Sequence, residues 1–267
     1  MTIVKTCGKL YWAGEYAILE PGQLALIKAI PIYMTADIKA SNDYRLYSDM
    51  FSYSVDLRPD SSYTLIQETV ALVEEYLTAQ EVELQPFSLD VRGKMEREGK
   101  KFGLGSSGSV VVLVIKAMLA FYERLADREL LFKLASAVLL KRGDNGSMGD
   151  IACIVSEDLV LYQSFDREKV ADWLEKEDLQ AVLARDWGFS IRSVEPTLKF
   201  DFLVGWTKEV AVSSYMVKQI KDNMNSSFLQ ASKETVANLV KALEVGQEET
   251  IIDLLEQASQ LLEGLSS

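Results

Sequence analysis

Three short segments of this chain carry residue types that could work on a phosphate. One is the glycine-serine loop Gly103–Ser109, GLGSSGS, followed at once by the apolar run Val110–Ala120. Unhindered backbone N–H groups in such a loop can wrap an anion. A helix starting behind it would aim the positive end of its dipole at the same place. A flexible turn before a buried helix accounts for the loop taken alone equally well. A second segment, KLYWAGEYAILEPG over Lys9–Gly22, is broken by glycines and holds the charges Lys9 and Glu15. A third, KRGDNGSMGD over Lys141–Asp150, ends a helical pattern in two cations and continues with three glycines, Asp144, Asn145, Ser147 and Asp150. Lys94, Arg97, Lys100 and Lys101 set further cations beside the glycine loop.

Each segment has an ordinary explanation by itself: a solvated lysine, a charged hairpin tip, an aspartate that caps a helix. Jointly they supply what phosphoryl transfer requires. That is an anion cradle, a hydroxyl for Mg²⁺, a lysine to neutralise charge, and a carboxylate to orient or deprotonate the attacking oxygen. Neither GxxxxGK[ST] nor the protein-kinase motif set is present, so the chain is not a P-loop NTPase or a eukaryotic-type protein kinase. The chain has no histidine. That removes Ser-His-Asp and Cys-His catalysis, imidazole bases and His-ligated metals, and leaves Asp and Lys as the acid–base groups.

The elements that must position these residues follow from periodicity. Ile3–Cys7 reads as a strand, Leu24–Ile38 as a strand pair bent near Pro31, and Tyr44–Leu57 as alternating strands. Tyr63–Thr78 has helical spacing, Phe87–Val91 is a strand, and Ser109–Leu125 is a helix apolar nearly all round, hence central. Arg128–Arg142 is a helix ended by Gly143, Leu159–Phe165 a strand, and Asp166–Trp187 acidic and helical. Leu198–Trp206 is expected as a strand and Ser214–Met224 as a helix. Lys233–Leu265 is expected as one or two helices broken near Gly246. Strands and helices mix without a regular βαβ period, which predicts an α+β fold. A lobe boundary near Asp186–Pro196 divides the chain into 1–190 and 191–267.

A formal net charge of −12 argues against a broad nucleic-acid-binding face. Cys7 and Cys153 form no CxxC pair and read as buried free thiols in a reducing cytosol. The N-terminus lacks a signal-peptide pattern, and the apolar stretch Val110–Ile115 is too short to cross a bilayer. A cytoplasmic protein with no membrane partner is expected; the oligomeric state is left open.

The motifs resemble those of the small-molecule kinase superfamily of galactokinase, homoserine kinase, mevalonate kinase and phosphomevalonate kinase. Lys9-x4-Gly14-Glu15-Tyr16-x-Ile18 is similar to its first motif, although many members have His where Tyr16 stands. Gly103-Leu104-Gly105-Ser106-Ser107 is similar to its ATP-phosphate motif, and Gly146-Ser147-x-x-Asp150 to the segment with the catalytic aspartate. From Met1 to the last residue the text resembles the phosphomevalonate kinases of Gram-positive cocci.

The resemblance implies an N-terminal lobe like ribosomal protein S5 and a ferredoxin-like C-terminal lobe. It implies the substrates ATP and 5-phosphomevalonate, with Mg²⁺. Gly103, Leu104, Gly105, Ser106, Ser107, Gly108 and Ser109 would wrap the ATP phosphates, with Lys101 beside them and Ser107 on the metal. Lys9, Ser147 and Asp150 would be catalytic; Lys9, Tyr16, Ser147 and Ser213, with Ser214, would meet the substrate. Gly108 stands where relatives usually have Ala, a change expected to leave the cradle intact. Relatives continue beyond the point matching Ser267 into a third glycine-rich motif, so the resemblance implies a C-terminally shortened chain with an incomplete second lobe. A kinase for mevalonate or homoserine, and a non-catalytic nucleotide-binding relative, stay open as alternatives.

Overall fold

The computed structural model describes residues 2–93, 95–97, 100–207 and 224–266. Its frame is a mixed seven-stranded sheet built around one long strand. β1 (Thr2–Ala13) pairs antiparallel with β2 (Leu24–Ala40), and β2 also pairs with β5 (Phe87–Arg92) and β8 (Leu159–Gln163). β3 (Arg45–Ser48) lies parallel to β5, with β4 (Ser54–Val55) outside it and β9 (Ser190–Ser193) beside β8. The order is β4-β3-β5-β2-β8-β9, with β1 on β2. A small hairpin, β6 (Glu96–Arg97) and β7 (Lys100–Lys101), precedes the glycine loop.

The expected bend at Pro31 does not split β2. The register instead jumps from Cys7↔Tyr33 to Gly8↔Ile30, leaving Pro31 and Ile32 outside the ladder with β1. A bulge accepts proline because no ladder N–H is required of it there. β1 itself continues past Cys7 to Ala13, which carries Lys9 and Tyr11 into the sheet.

Helices cover the sheet: α1 (Thr64–Ala79), α2 (Ser106–Phe121), α3 (Arg128–Lys141), α4 (Gly149–Ser156), α5 (Arg167–Lys176) and α6 (Leu179–Ala184). α2 sits in the middle, touching α1, α3, α4, β1 and β2. Its residues Val111, Val112, Leu113, Val114 and Ile115 are all fully buried. Burial of each such side chain contributes about 1.5–3 kcal/mol, so α2 is fixed by its whole circumference and not by one face. It starts at Ser106, three residues before the expected Ser109, which places the loop serines in its first turn.

α7 (Ser226–Val245) and α8 (Glu248–Ser266) form a hairpin turned at Gly246, whose φ of +73° suits glycine. Leu239, Val240 and Leu243 of α7 pack with Ala13, Leu26 and Leu159 of the sheet. The strand expected over Leu198–Trp206 does not form. Among the described residues, 199–206 have no ladder partner, and the alternating Phe200 and Phe202 pack on Trp12, at ring separations of 5.5 and 5.2 Å. Residues 213–223, including Ser213, Ser214 and nearly all of the helix expected there, lie outside the described residues.

Candidate active site

Strand alternation puts Lys9 and Tyr11 on one face of β1. The chain before α2 crosses that face. Leu104 O accepts a hydrogen bond from Lys9 N at 3.0 Å, and Leu104 lies against Gly8. Gly103 and Gly105 both have left-handed backbone, φ +78° and +79°. Gly105 is also pressed for space. A Cβ there would lie 2.8 Å from Lys9 Cε and 3.6 Å from Asp150 Cβ. Only glycine combines that φ with that approach.

α2 has no side-chain cap. The first N–H groups of a helix lack intrahelical carbonyls, so those of Ser106, Ser107 and Gly108 are available to an anion at the positive end of the dipole. The Ser107 side chain is exposed in this turn. Ser109, expected in the same cradle, is turned to the core instead. Its N–H bonds Gly105 O at 3.0 Å, its hydroxyl lies 2.7 Å from Thr6 Oγ1, and that hydroxyl donates to Cys7 O at 3.2 Å. Residues two apart on a helix point about 200° apart, so Ser107 and Ser109 cannot face one ligand. Leu104 is likewise buried and offers only backbone.

The start of α4 meets the start of α2. Met148 takes a left-handed conformation, φ +64°, and Asp150 falls in the first turn. Asp150 Oδ1 accepts from Ile151 N at 2.9 Å, while Oδ2 lies 2.7 Å from where a Cβ on Gly108 would stand. Gly108 therefore makes the space that the carboxylate occupies. Desolvation by the surrounding protein pushes the Asp150 carboxyl above its ordinary value, opposed by Lys9 and the Ile151 N–H.

Ser147 is held on three sides. Its hydroxyl lies 3.0 Å from Tyr11 Oη and accepts from Gly149 N at 3.2 Å, and its carbonyl accepts from Tyr162 Oη at 2.8 Å. Sequence reading overlooked both tyrosines. Tyr11 was legible by its place two residues after Lys9; Tyr162, 15 residues from Ser147, carried no local signal. Desolvation, then the Asp150 charge, raises the Tyr11 pKa, so Tyr11 stays a neutral phenol.

These groups border a cavity of about 530 Å³. Lys9 and Tyr11 line it from β1, Glu15, Tyr16, Ile18 and Leu19 from the following turn, and residues 144–147 from the loop before α4. Tyr16, at φ +61°, enters the 3-10 turn Ala17–Leu19. Among the described residues Glu15 Oε2 is buried without a hydrogen-bond partner, and desolvation raises this carboxyl, with Lys9 opposing. Among the sequence-predicted residues, the structure thus gathers Lys9, Tyr16, Gly105, Gly108, Ser147 and Asp150. The Lys101 side chain and Ser213 lie outside the described residues.

Among the described residues no three His, Cys, Asp or Glu side chains cluster as a metal site. The oxygen donors nearest the cradle are the exposed Ser107 hydroxyl and the Asp150 carboxylate, and the Glu15 and Asp144 carboxylates line the cavity beyond. That set fits Mg²⁺, which takes few protein ligands and fills its shell with water and substrate phosphates.

A backbone cradle on a buried helix, opposed by a lysine and a desolvated aspartate, defines a small-molecule kinase site. Residues 64–157 match the family described as "GHMP kinases N terminal domain". A phosphomevalonate kinase of Streptomyces sp. (strain CL190) is 26% identical over 291 residues, spanning 98% of this chain and 78% of that protein. The Streptococcus pneumoniae phosphomevalonate kinase structure in complex with phosphomevalonate and AMPPNP is 71% identical, with a TM-score of 0.98, spanning 99% of this chain and 80% of that one. Methanococcus jannaschii mevalonate kinase, 16% identical with a TM-score of 0.62, shares the fold. The chain belongs to the phosphomevalonate kinase family of the GHMP kinases.

Proposed function

We propose that this chain transfers the γ-phosphoryl group of ATP to the phosphate of 5-phosphomevalonate, giving 5-diphosphomevalonate and ADP in the mevalonate route to isoprenoids. One observation carries the reading. At 71% identity the backbone reproduces, with a TM-score of 0.98, an enzyme solved with phosphomevalonate and an ATP analogue. In the reaction a phosphate oxygen of the acceptor bonds to the γ-phosphorus, and the bond from that phosphorus to the bridging oxygen of ADP breaks.

The acceptor phosphate has its second pKa near 6 and is mostly ionised at neutral pH. Base strength therefore matters less than placement and charge neutralisation. The N–H groups at residues 106–108 bind the ATP phosphates. Lys9, which crosses Gly105 toward Asp150, neutralises charge on the transferring group. Asp150 orients the attacking oxygen and takes any residual proton. Ser147, braced by Tyr11 and Tyr162, and Tyr16 position the acceptor. Lys101 beside the cradle and Ser213 on the substrate complete the assignment. When bound, Mg²⁺ would neutralise phosphate charge, held by Ser107 and Asp150.

The division into lobes 1–190 and 191–267 belongs to the same reading, although β9 (Ser190–Ser193), paired with β8 on the main sheet, spans that boundary. No helix among the described residues is long and apolar enough to cross a membrane, and a cytoplasmic location is part of the proposal. The test is ADP release by the purified protein with Mg²⁺ and phosphomevalonate, mevalonate or homoserine in parallel. Phosphomevalonate should be the preferred acceptor. Turnover of mevalonate but not phosphomevalonate would refute the assignment, and ATP binding without any turnover would mark a non-catalytic relative.

A further inference from the structure

Arg167 is the first residue of α5, where a cation faces the positive end of its own helix. Asp166 caps that helix by accepting from Lys169 N at 3.0 Å. The guanidinium leaves the helix and meets three backbone carbonyls. Nη1 donates to Asn145 O and to Gly146 O, the latter at 2.5 Å, and Nη2 donates to Leu19 O at 2.5 Å. Among the described residues no backbone N–H reaches these carbonyls, and Arg167 has no ion-pair partner.

The three carbonyls belong to two segments of the same cavity lining. Leu19 ends the turn that carries Tyr16 and Ile18, and Asn145 and Gly146 lead into Ser147 and Asp150. The second segment is held at its ends, by Asp144 N bonding Leu139 O at 3.0 Å and by the contacts of Ser147 with Tyr11, Tyr162 and Gly149, and across its middle by Gly146 N bonding Asp144 Oδ1 at 2.7 Å. Among the described residues, the hydrogen bonds that tie this loop to the turn at Leu19 are those of the guanidinium.

We infer that Arg167 is a positioning residue that clamps the 144–147 loop to the Ala17–Leu19 turn and thereby sets the width of the acceptor cavity. The inference rests on the reading that this cavity takes phosphomevalonate. A planar fork with fixed N–H directions can serve two segments at once. A lysine ammonium at that site is a shorter-reaching point donor and cannot. The unpaired positive charge behind the cavity also favours an anionic occupant.

The test uses Arg167→Lys and Arg167→Met in the full chain. The KM for phosphomevalonate should rise about tenfold or more in both, with the KM for ATP within about twofold of wild type. Amide hydrogen exchange should quicken about tenfold at residues 17–20 and 144–148 and stay unchanged in α2. Unchanged exchange at those two segments overturns the clamp. So does an equal rise of both KM values with faster exchange throughout the molecule, which would mark a general stabilising role. If wild type fails to phosphorylate phosphomevalonate, the functional reading falls, while the exchange measurement still decides the clamp.

Discussion

Asp150→Asn should make the ligand-free protein more stable and the enzyme much slower. The amide keeps the carboxylate's shape and retains an Oδ1 for the Ile151 N–H, now 2.9 Å away. What disappears is a charge held where the protein has stripped its water. Burial raises the Asp150 pKa, so the folded state prefers the neutral carboxyl. Above the folded pKa the ionised group costs stability; below its unfolded value of 3.8 that cost is gone. Relieving a functional charge of this kind commonly returns about 0.5–2 kcal/mol, or a few degrees in Tm for a chain of this size. Against that gain stands catalysis. Loss of a positioned acid–base group costs about 10²–10⁴ in rate, and with an acceptor already ionised the lower end is expected, about 2.7 kcal/mol. Differential scanning fluorimetry at neutral and acid pH and ADP-release kinetics measure the two sides. The Tm advantage of the variant should shrink as pH falls toward 4. Protonation of the acceptor phosphate at about pH 6 lowers kcat/KM in both proteins, and wild type should show a further acid loss above 3.8 that the variant lacks. A variant with kcat within about tenfold of wild type, or one less stable at pH 7, refutes the reasoning.

Gly108→Ala places a methyl 2.7 Å from Asp150 Oδ2 and 3.1 Å from Ile151 Cδ1, so kcat should fall about tenfold while helix propensity keeps the protein at least as stable; an unchanged kcat would show that Asp150 works equally well displaced. Ser109→Ala removes the hydroxyl contacts of α2 with Thr6 Oγ1 and Cys7 O, keeps the Thr6 Oγ1 bond to the carbonyl of residue 109, and should cost about 1–3 kcal/mol in denaturant unfolding, with KM for ATP unaltered, whereas a large rise in that KM would return Ser109 to the cradle. Ser107→Ala loses no hydrogen bond to the described residues, so stability should hold while the Mg²⁺ concentration for half-maximal rate rises severalfold; an identical metal titration argues against ligation by Ser107.

The parts of this protein that sequence displayed are those in which local spacing and three-dimensional position coincide. α2 was visible because a helix buried on every side is apolar at every position, and the α7–α8 break was visible because a left-handed C-cap favours glycine. Lys9, Gly105 and Asp150 were found as three separate motifs. Their meeting point was not deducible, because it depends on a β1 bulge and on two helix starts converging. Ser109 misled for a plain reason. In a loop all its serines could face one ligand, but once the helix begins at Ser106, alternate residues diverge. Phe200 and Phe202 misled in the same way, since alternation reports two faces and cannot say whether a ladder or a Trp12 ring fills one of them. Arg167 gave no signal, because its three acceptors are backbone carbonyls with no sequence identity.

On the proposed function, a chain with a net charge of −12 holds two polyanions, and the proposed site accounts for how it does so. In the proposed site, peptide dipoles at the start of α2 attract phosphate without changing the net charge of the chain. Such dipoles are effective only if they cannot reorient. That places the requirement on the core: Val111–Ile115 on the α2 circumference and the Thr6–Ser109 contact at its first turn hold the N–H groups in place without touching a phosphate. In the proposed site Lys9 serves the transferring group and Arg167 fixes the wall behind the acceptor cavity. Ser109→Ala and Arg167→Met should therefore separate cleanly, one lowering stability with substrate binding intact, the other weakening acceptor binding with the α2 cradle unaltered.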